Sequence, residues 1–272
     1  MEYQVVNKIP INKYEWKKIG AFLYHEGTDA LYFESPWPFP VQLLISKSLS
    51  KCKVTPGFIK LPFILKGWIN LDILLREIEL LKLAQEGKIL MHASCVGDTL
   101  IVGLPNAGKT YQTYKSVLKG GKLISEEYTI IDKGIAHPYK PIMRSCFSAK
   151  TINDCKINVT VKDRIWLWFM TLRASLMPFM FEAAIWKNIP VSGETSKVKK
   201  IVYGSTGLEI KDWKQFAILC ENEFPFMASE FLQAYSLASG FDLLGIQEKQ
   251  RNLIKEFVNV VYPAPVTQRK KH

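Results

Sequence analysis

Residues 103–110 read Gly-Leu-Pro-Asn-Ala-Gly-Lys-Thr, the pattern G-x-x-x-x-G-K-[ST]. In such a loop consecutive backbone N–H groups wrap a nucleotide's phosphates, the lysine reaches the terminal ones, and the hydroxyl ligates Mg²⁺. Gly103, Asn106, Ala107, Gly108, Lys109 and Thr110 are therefore the expected nucleotide contacts, with Thr110 also a metal ligand. An acidic pair, Glu126 and Glu127, begins 17 residues after Lys109. Phosphoryl transfer needs positioning, neutralisation of phosphate charge and a base near the acceptor, and two carboxylates beside Mg²⁺ can divide the base and metal tasks. Neighbours on a strand point to opposite faces, so both can serve one site only at an irregular strand start. Asp132, closing the run YTIID, resembles a Walker B aspartate and competes for the metal role. Arg144, in AHPYKPIMRS, offers a planar guanidinium to phosphate oxygens, and His137 is the other charge-bearing candidate there. His92 lies before the loop, as either a core histidine or a functional one. His25 and His272 carry no signal.

The flanks supply the elements that would hold these residues. TLIVG is an apolar run of strand length ending at Gly103, and KTYQTYKSVLKGG reads as a short helix closed by Gly120 and Gly121. The helix's positive dipole end would face the phosphates. Upstream, KILMHASCV and TLIV flank a tight Gly97-Asp98 turn; downstream, KLIS precedes the acidic pair and YTII, and Asp132–Gly134 turns back into IAHPY. KKIVYGSTGLEI reads as a further strand or hairpin.

Residues 1–87 hold short apolar runs (AFLYH, ALYFE, VQLLIS) broken by SPWPFP, a β-rich lobe, then a linking helix from an Asn70 cap to a Gly87 stop. Residues 88–262 form the nucleotide-binding domain, ending in helices broken at Gly240, and 263–272 a basic tail expected to be disordered. Ile165–Trp186 is long enough to span a bilayer and carries Trp near both ends, but Arg173, Glu182 and Pro178 oppose spanning. A buried helix pair broken near Met177 is expected, with peripheral membrane contact left open.

Of 272 residues 48% are hydrophobic, ample for a sizeable core. Five scattered cysteines without C-x-x-C spacing argue against a disulfide framework or zinc site and for a reducing, cytoplasmic setting. The first residues lack the basic start and apolar core of an export signal. The net charge of +11 suits an anionic partner. Its lysines form no aromatic-interleaved stripe, so a nucleic-acid partner is not expected.

LMHASCVGDTLIVGLPNAGKT and GGKLISEEYTIID together resemble the nucleotide-binding core of the HPr kinase/phosphorylase family, itself related to phosphoenolpyruvate carboxykinase. The resemblance covers about residues 88–145 and implies an α/β P-loop core that binds ATP or ADP with Mg²⁺. It further implies that Glu126 accepts the proton of an acceptor hydroxyl, that Glu127 lies near the metal, and that His92 orients a carboxylate or contacts phosphate. Two departures matter. Glu-Glu replaces the family's Asp-Asp, one methylene longer on each side, and the E-x-R-G-x-G stretch of true HPr kinases is absent.

The expected function is ATP- and Mg²⁺-dependent phosphorylation of a hydroxyl on a protein serine or a small molecule. The alternative is a nucleotide-binding accessory protein, catalytically impaired by its altered pair, that docks a partner. A GTPase would need N-K-x-D and D-x-x-G. The nearest stretches are NKYE at 12–15 and DLLG at 242–245, the latter inside a helical pattern. Oligomerisation is open.

Overall fold

A computed structural model of the chain describes residues 2–6, 9, 17–19, 22–27, 29–34, 42–48, 50–55, 79, 81–104, 107–139, 142–176, 184–220 and 230–263. Asn70, Asn106, Pro178 and the tail beyond Pro263 lie outside them, as does the Pro-rich break at 35–40. The architecture is mixed α/β, and the chain divides into two compact units, 1–87 with 225–251 and 88–224 with 252–272.

The first unit is built on a six-stranded sheet: β1 (Glu2–Val5), β2 (Lys17–Ile19), β3 (Phe22–Glu26), β4 (Ala30–Glu34), β5 (Gln42–Ser46) and β6 (Lys51–Val54). Strands β2 to β6 pair antiparallel in chain order, and β1 joins β6 in parallel. Leu31, Tyr32 and Phe33 are buried in succession, so β4 is covered on both faces. Tyr235, in the helix Glu230–Ser239, lies 6.3 Å from the Phe33 ring. Residues 81–85 form the described part of α1, which ends where Gly87 turns to φ 75°.

The second unit layers two sheets. One has the order β10-β8-β9-β16-β17, from β8 (Ser94–Val96), β9 (Thr99–Val102), β10 (Leu123–Ser125), β16 (Lys200–Tyr203) and β17 (Leu208–Glu209). The other, β15-β12-β11-β7, comprises β7 (Ile89–Met91), β11 (Thr129–Asp132), β12 (Ile135–Pro138) and β15 (Ser196–Lys197). Cys95, Leu100 and Ile201 of the first sheet share a core with Ile89, Ile131 and Ala136 of the second. Helix α2 (Lys109–Leu118) covers the opposite face of the first sheet, where Val96, Ile101 and Val202 meet Val117.

Both tight turns expected from the sequence are present. Gly97 alone is left-handed (φ 58°) in the β8–β9 turn, as a II′ turn requires, whereas Lys133 (49°) and Gly134 (83°) both are in the β11–β12 turn, as in type I′. The remaining elements are β13 (Ile142–Ser148), α3 (Ala149–Asp154), α4 (Val161–Leu176), β14 (Ala184–Pro190), α5 (Trp213–Cys220), α6 (Glu230–Ser239) and α7 (Leu243–Val261). The C-terminal helices break at Gly240 (φ 68°), and Asp242 caps α7 through the Gly245 N–H.

Two expectations are corrected. KILMHASCV is not one strand: it bends at His92 and Ala93, so β7 and β8 belong to different sheets. Ile165–Trp186 is not a buried helix pair. Residues 184–190 form β14, paired antiparallel with β13 over seven residues, a ladder that period reading within one segment does not reveal. α4 itself starts from a Thr160–Asp163 capping box and, among its described side chains, buries Leu167 while exposing Ile165, Trp168, Phe169 and Leu172. No helix among the described residues is long and apolar enough to cross a membrane.

Burial raises the thiols of Cys52, in the first unit, and Cys95, in the second, from 9.0 to about 12. For Cys95 the nearby Asp98 charge adds to burial. A thiol ionising near 9 unfolded and near 12 folded favours the folded state fully below pH 9, and that preference fades as pH rises towards 12. Each thiol should therefore contribute a loss of up to about 1.4 kcal/mol per pH unit within that window. Urea unfolding from pH 8 upward should show a shallower decline in Cys95→Ala than in wild type. At pH 8 both thiols should resist iodoacetamide until denaturant is added, as peptide mapping would report.

Candidate nucleotide-binding site

The site begins with a parallel pair of strands. β9 and β16 run side by side with Val102 opposite Tyr203, so their carboxyl ends leave the sheet together at Gly103 and Gly204. The carboxyl ends of neighbouring parallel strands are where open α/β sheets leave room for ligands. After β9, Gly103 takes φ 147°, the Ala107 N–H donates to the Leu104 carbonyl at 3.0 Å, and Gly108 enters the helix at φ 80°. A side chain at 103 would meet the Tyr203 ring at 3.2 Å and the Ala107 methyl at 3.0 Å. α2 has no side-chain N-cap and no acidic residue of its own in its first turn, so its first N–H groups are left for other partners.

Lys109 is 8% exposed, and its ammonium donates to the carbonyls of Gly103 (2.7 Å) and Leu104 (3.0 Å). It is held inside the loop it opens. Thr113, a turn further on and fully buried, donates to the Lys109 carbonyl at 2.8 Å. Neighbouring Thr110 donates through Oγ1 to Oε1 of Glu126 at 3.1 Å. Glu126 is 1% exposed, and a buried carboxylate is costly unless hydrogen-bonded or matched by positive charge.

The acidic pair sits in a turn of unusual geometry. The Tyr128 N–H donates to the Glu126 carbonyl at 2.7 Å, and Glu127 between them has φ 64°. A two-residue bond around a positive φ is a γ-turn of the rare, strained kind. It interrupts strand alternation between Glu126 and Glu127, which is the irregularity that two carboxylates serving one site demand. A second short turn lies nearby: the Ala93 N–H donates to the Met91 carbonyl at 2.9 Å around His92. The His92 and Tyr128 rings stack at 5.2 Å and 19°, and Tyr139 meets Tyr128 edge-on at 6.0 Å. Thr129 Oγ1 donates to the Ala93 carbonyl at 2.7 Å, so in its contact with Ser125 the Ser125 hydroxyl is the donor. This chain of bonds fixes the two turns against each other.

The other expected residues are distributed differently. Asp132 closes β11 at the hairpin turn, about 10 Å along the strand from Thr129 at the usual rise. His137 lies on β12 opposite Ile130, and Arg144 stands on β13 opposite Asn188 of β14. The described residues contain no group of three or more His, Cys, Asp or Glu that could hold a metal by themselves.

The hairpin expected in KKIVYGSTGLEI is present, β16 pairing antiparallel with β17 around Tyr203–Gly207, but sequence reading missed that this turn meets the loop at 103–110. A Cβ on Gly204, at φ 41°, would stand 2.1 Å from the Ala107 carbonyl oxygen, so this turn and the phosphate loop touch backbone to backbone. The available signal was a second Gly-containing turn directly after an apolar strand. Compared with known proteins, the chain matches no family model, no curated protein and no solved structure.

Gly204 and Gly207 give an internal control. Gly207, at φ 64°, has only the Gln112 amide nitrogen within reach, at 3.7 Å. Gly207→Ala should therefore lose only the left-handed backbone preference, about 1–2 kcal/mol in urea unfolding. Gly204→Ala should lose more than that, because the Ala107 carbonyl must also move.

Proposed function

We propose that this chain is an ATP- and Mg²⁺-dependent phosphotransferase with an HPr-kinase-like P-loop core, acting on a hydroxyl of a protein serine or a small molecule. The observation that carries the reading is the Thr110–Glu126 hydrogen bond. It joins the one hydroxyl in the loop pattern suited to a cation to a buried carboxylate, at the N-terminal end of α2. The order of parts also supports it: a hairpin strand after His92, the loop, one strand, then the acidic pair before the next.

Mg²⁺ fits this donor set. Thr110 supplies an oxygen and Glu126 a second carboxylate position, with phosphate and water oxygens completing six hard ligands. An ion held by Thr110 and Glu126 would supply neutralisation of phosphate charge. Lys109, released from the Gly103 and Leu104 carbonyls, reaches the same oxygens, and the N–H groups at the start of α2 orient them. The geometry favours a division of labour opposite to the one the resemblance implies. Glu126, bonded to Thr110, is the metal-side carboxylate. Glu127, set apart by the γ-turn and less deeply buried, accepts the acceptor's proton.

Calorimetry should find Mg-ATP binding to the wild type and a loss of at least about tenfold in Lys109→Ala. ATP should compete better than GTP. Turnover is then followed as labelled phosphate transferred into a cell extract, or as slow release of ADP. Glu127→Gln should keep nucleotide affinity and lower the rate by about a hundredfold or more, whereas Glu126→Gln should raise the Mg²⁺ needed for half-maximal rate. ATP binding without transfer or hydrolysis above the Lys109→Ala background would replace the enzyme by an accessory protein that docks a partner in its ATP-loaded form. No ATP binding at all would remove both readings.

A further inference from the structure

We infer that α4 is a membrane-docking helix that lies in the surface of an anionic bilayer. It goes beyond the phosphotransferase reading and does not depend on it. At 100° per residue, Val161, Ile165, Trp168, Phe169 and Leu172 fall within one stripe about 100° wide. All five are exposed, Trp168 at 66%. Leu167, on the opposite side, is buried with Phe147, Ile152 and Ile185, so the helix is anchored by its other face. A stripe of this size on an anchored helix marks an interaction surface, since isolated apolar residues do not line up at i, i+4, i+7, i+8 and i+11.

Charge identifies the occupant. Lys162 and Arg164, both exposed, project about 80° to either side of the stripe's centre, just beyond its two edges. The helix's single acidic residue, Asp163, is turned to the Leu167 side and spent on the capping box with Thr160. Within its own helix the apolar face is thus bordered by positive charge, and the helix adds no acidic residue to it, on a chain of net charge +11. Trp beside Lys and Arg on one helix face is the composition that seats in the headgroup region, with rings at the acyl boundary and cations on anionic headgroups. A second copy of the chain fits worse, because pairing two such stripes would bring the cations of both borders together.

The experiment uses the full chain and vesicles of phosphatidylcholine with about one third phosphatidylglycerol, compared with phosphatidylcholine alone, by flotation. Wild type is expected to float with the anionic vesicles, more weakly with the neutral ones, and to release as salt rises to about 0.5 M. Trp168→Gln with Leu172→Gln should weaken flotation about tenfold or more while leaving the melting temperature unchanged, since both side chains are exposed. Lys162→Glu with Arg164→Glu should abolish the preference for anionic vesicles and leaves the apolar stripe intact. Acyl-chain-brominated lipid should quench tryptophan fluorescence in wild type and much less in Trp168→Phe. Wild type remaining unbound to anionic vesicles, or binding unchanged in both double variants, overturns the inference. So does a dimer by light scattering that Trp168→Gln with Leu172→Gln dissolves, which would assign the stripe to a second copy.

Discussion

The parallel pairing of β9 with β16 is the constraint on which the site depends. It sets Val102 beside Tyr203, and so sends two chain segments out of the sheet at one edge. A slip of one residue would turn the Tyr203 ring away from Gly103 and take Gly204 off the Ala107 carbonyl. Glycine at both exits follows from that closeness, since neither position has room for a side chain without moving its neighbour. The loop after β9 is therefore shaped from both sides: by its own turn, and by a second turn almost a hundred residues later in the chain.

Around that edge the fold concentrates groups that are unfavourable by themselves. A left-handed non-glycine residue costs on the order of 1–3 kcal/mol, and Glu127 is one of three such residues among those described. Next to it is a carboxylate almost wholly out of water. Such features persist only where the surroundings over-determine them. Here the determinants are visible: Ser125 bonds Thr129, Thr129 bonds the Ala93 carbonyl, and Tyr128 stacks on His92. Of the two parts that the resemblance implies for His92, orienting a carboxylate or contacting phosphate, its stacking on Tyr128 beside the acidic turn is compatible with the first.

What the sequence made legible was local. The strand–loop–helix around Lys109 and the two hairpin turns rest on a few residues each, and the first lobe's strands on short apolar runs; all are found. The resemblance put Glu127 on the metal side and Glu126 at the acceptor, whereas the hydrogen bond from Thr110 goes to Glu126. What escaped was set by distant partners. The bend at His92 arises because β7 and β8 pair in different sheets, and β14 is a strand because β13 is there to receive it. Asp132 resembled a Walker B aspartate through the run YTIID, and it stands at the end of β11 next to the Lys133-Gly134 turn. The Tyr203–Gly207 turn lacked a recognised motif, and its importance is visible only through the register of β16 on β9.

The two surfaces singled out here, the loop at Lys109 and the exposed stripe of α4, are joined by one packed layer. α2 presents Lys109 and Thr113 as buried residues and, from another side, Tyr114. Tyr114 lies edge-on to Phe147 at 4.9 Å, in the same cluster as Leu167 of α4 and Ile185 of β14. Interiors are close-packed, so α4 cannot shift along its anchored face without Phe147 and Tyr114 adjusting, and Tyr114 is four residues from Thr110 on one rigid helix. Contiguous packing is the physical condition that coupling between two such surfaces requires, and it is met by side chains that neither surface uses directly. A helix docked on one face and a nucleotide loop held on another would therefore share Tyr114 as their common support.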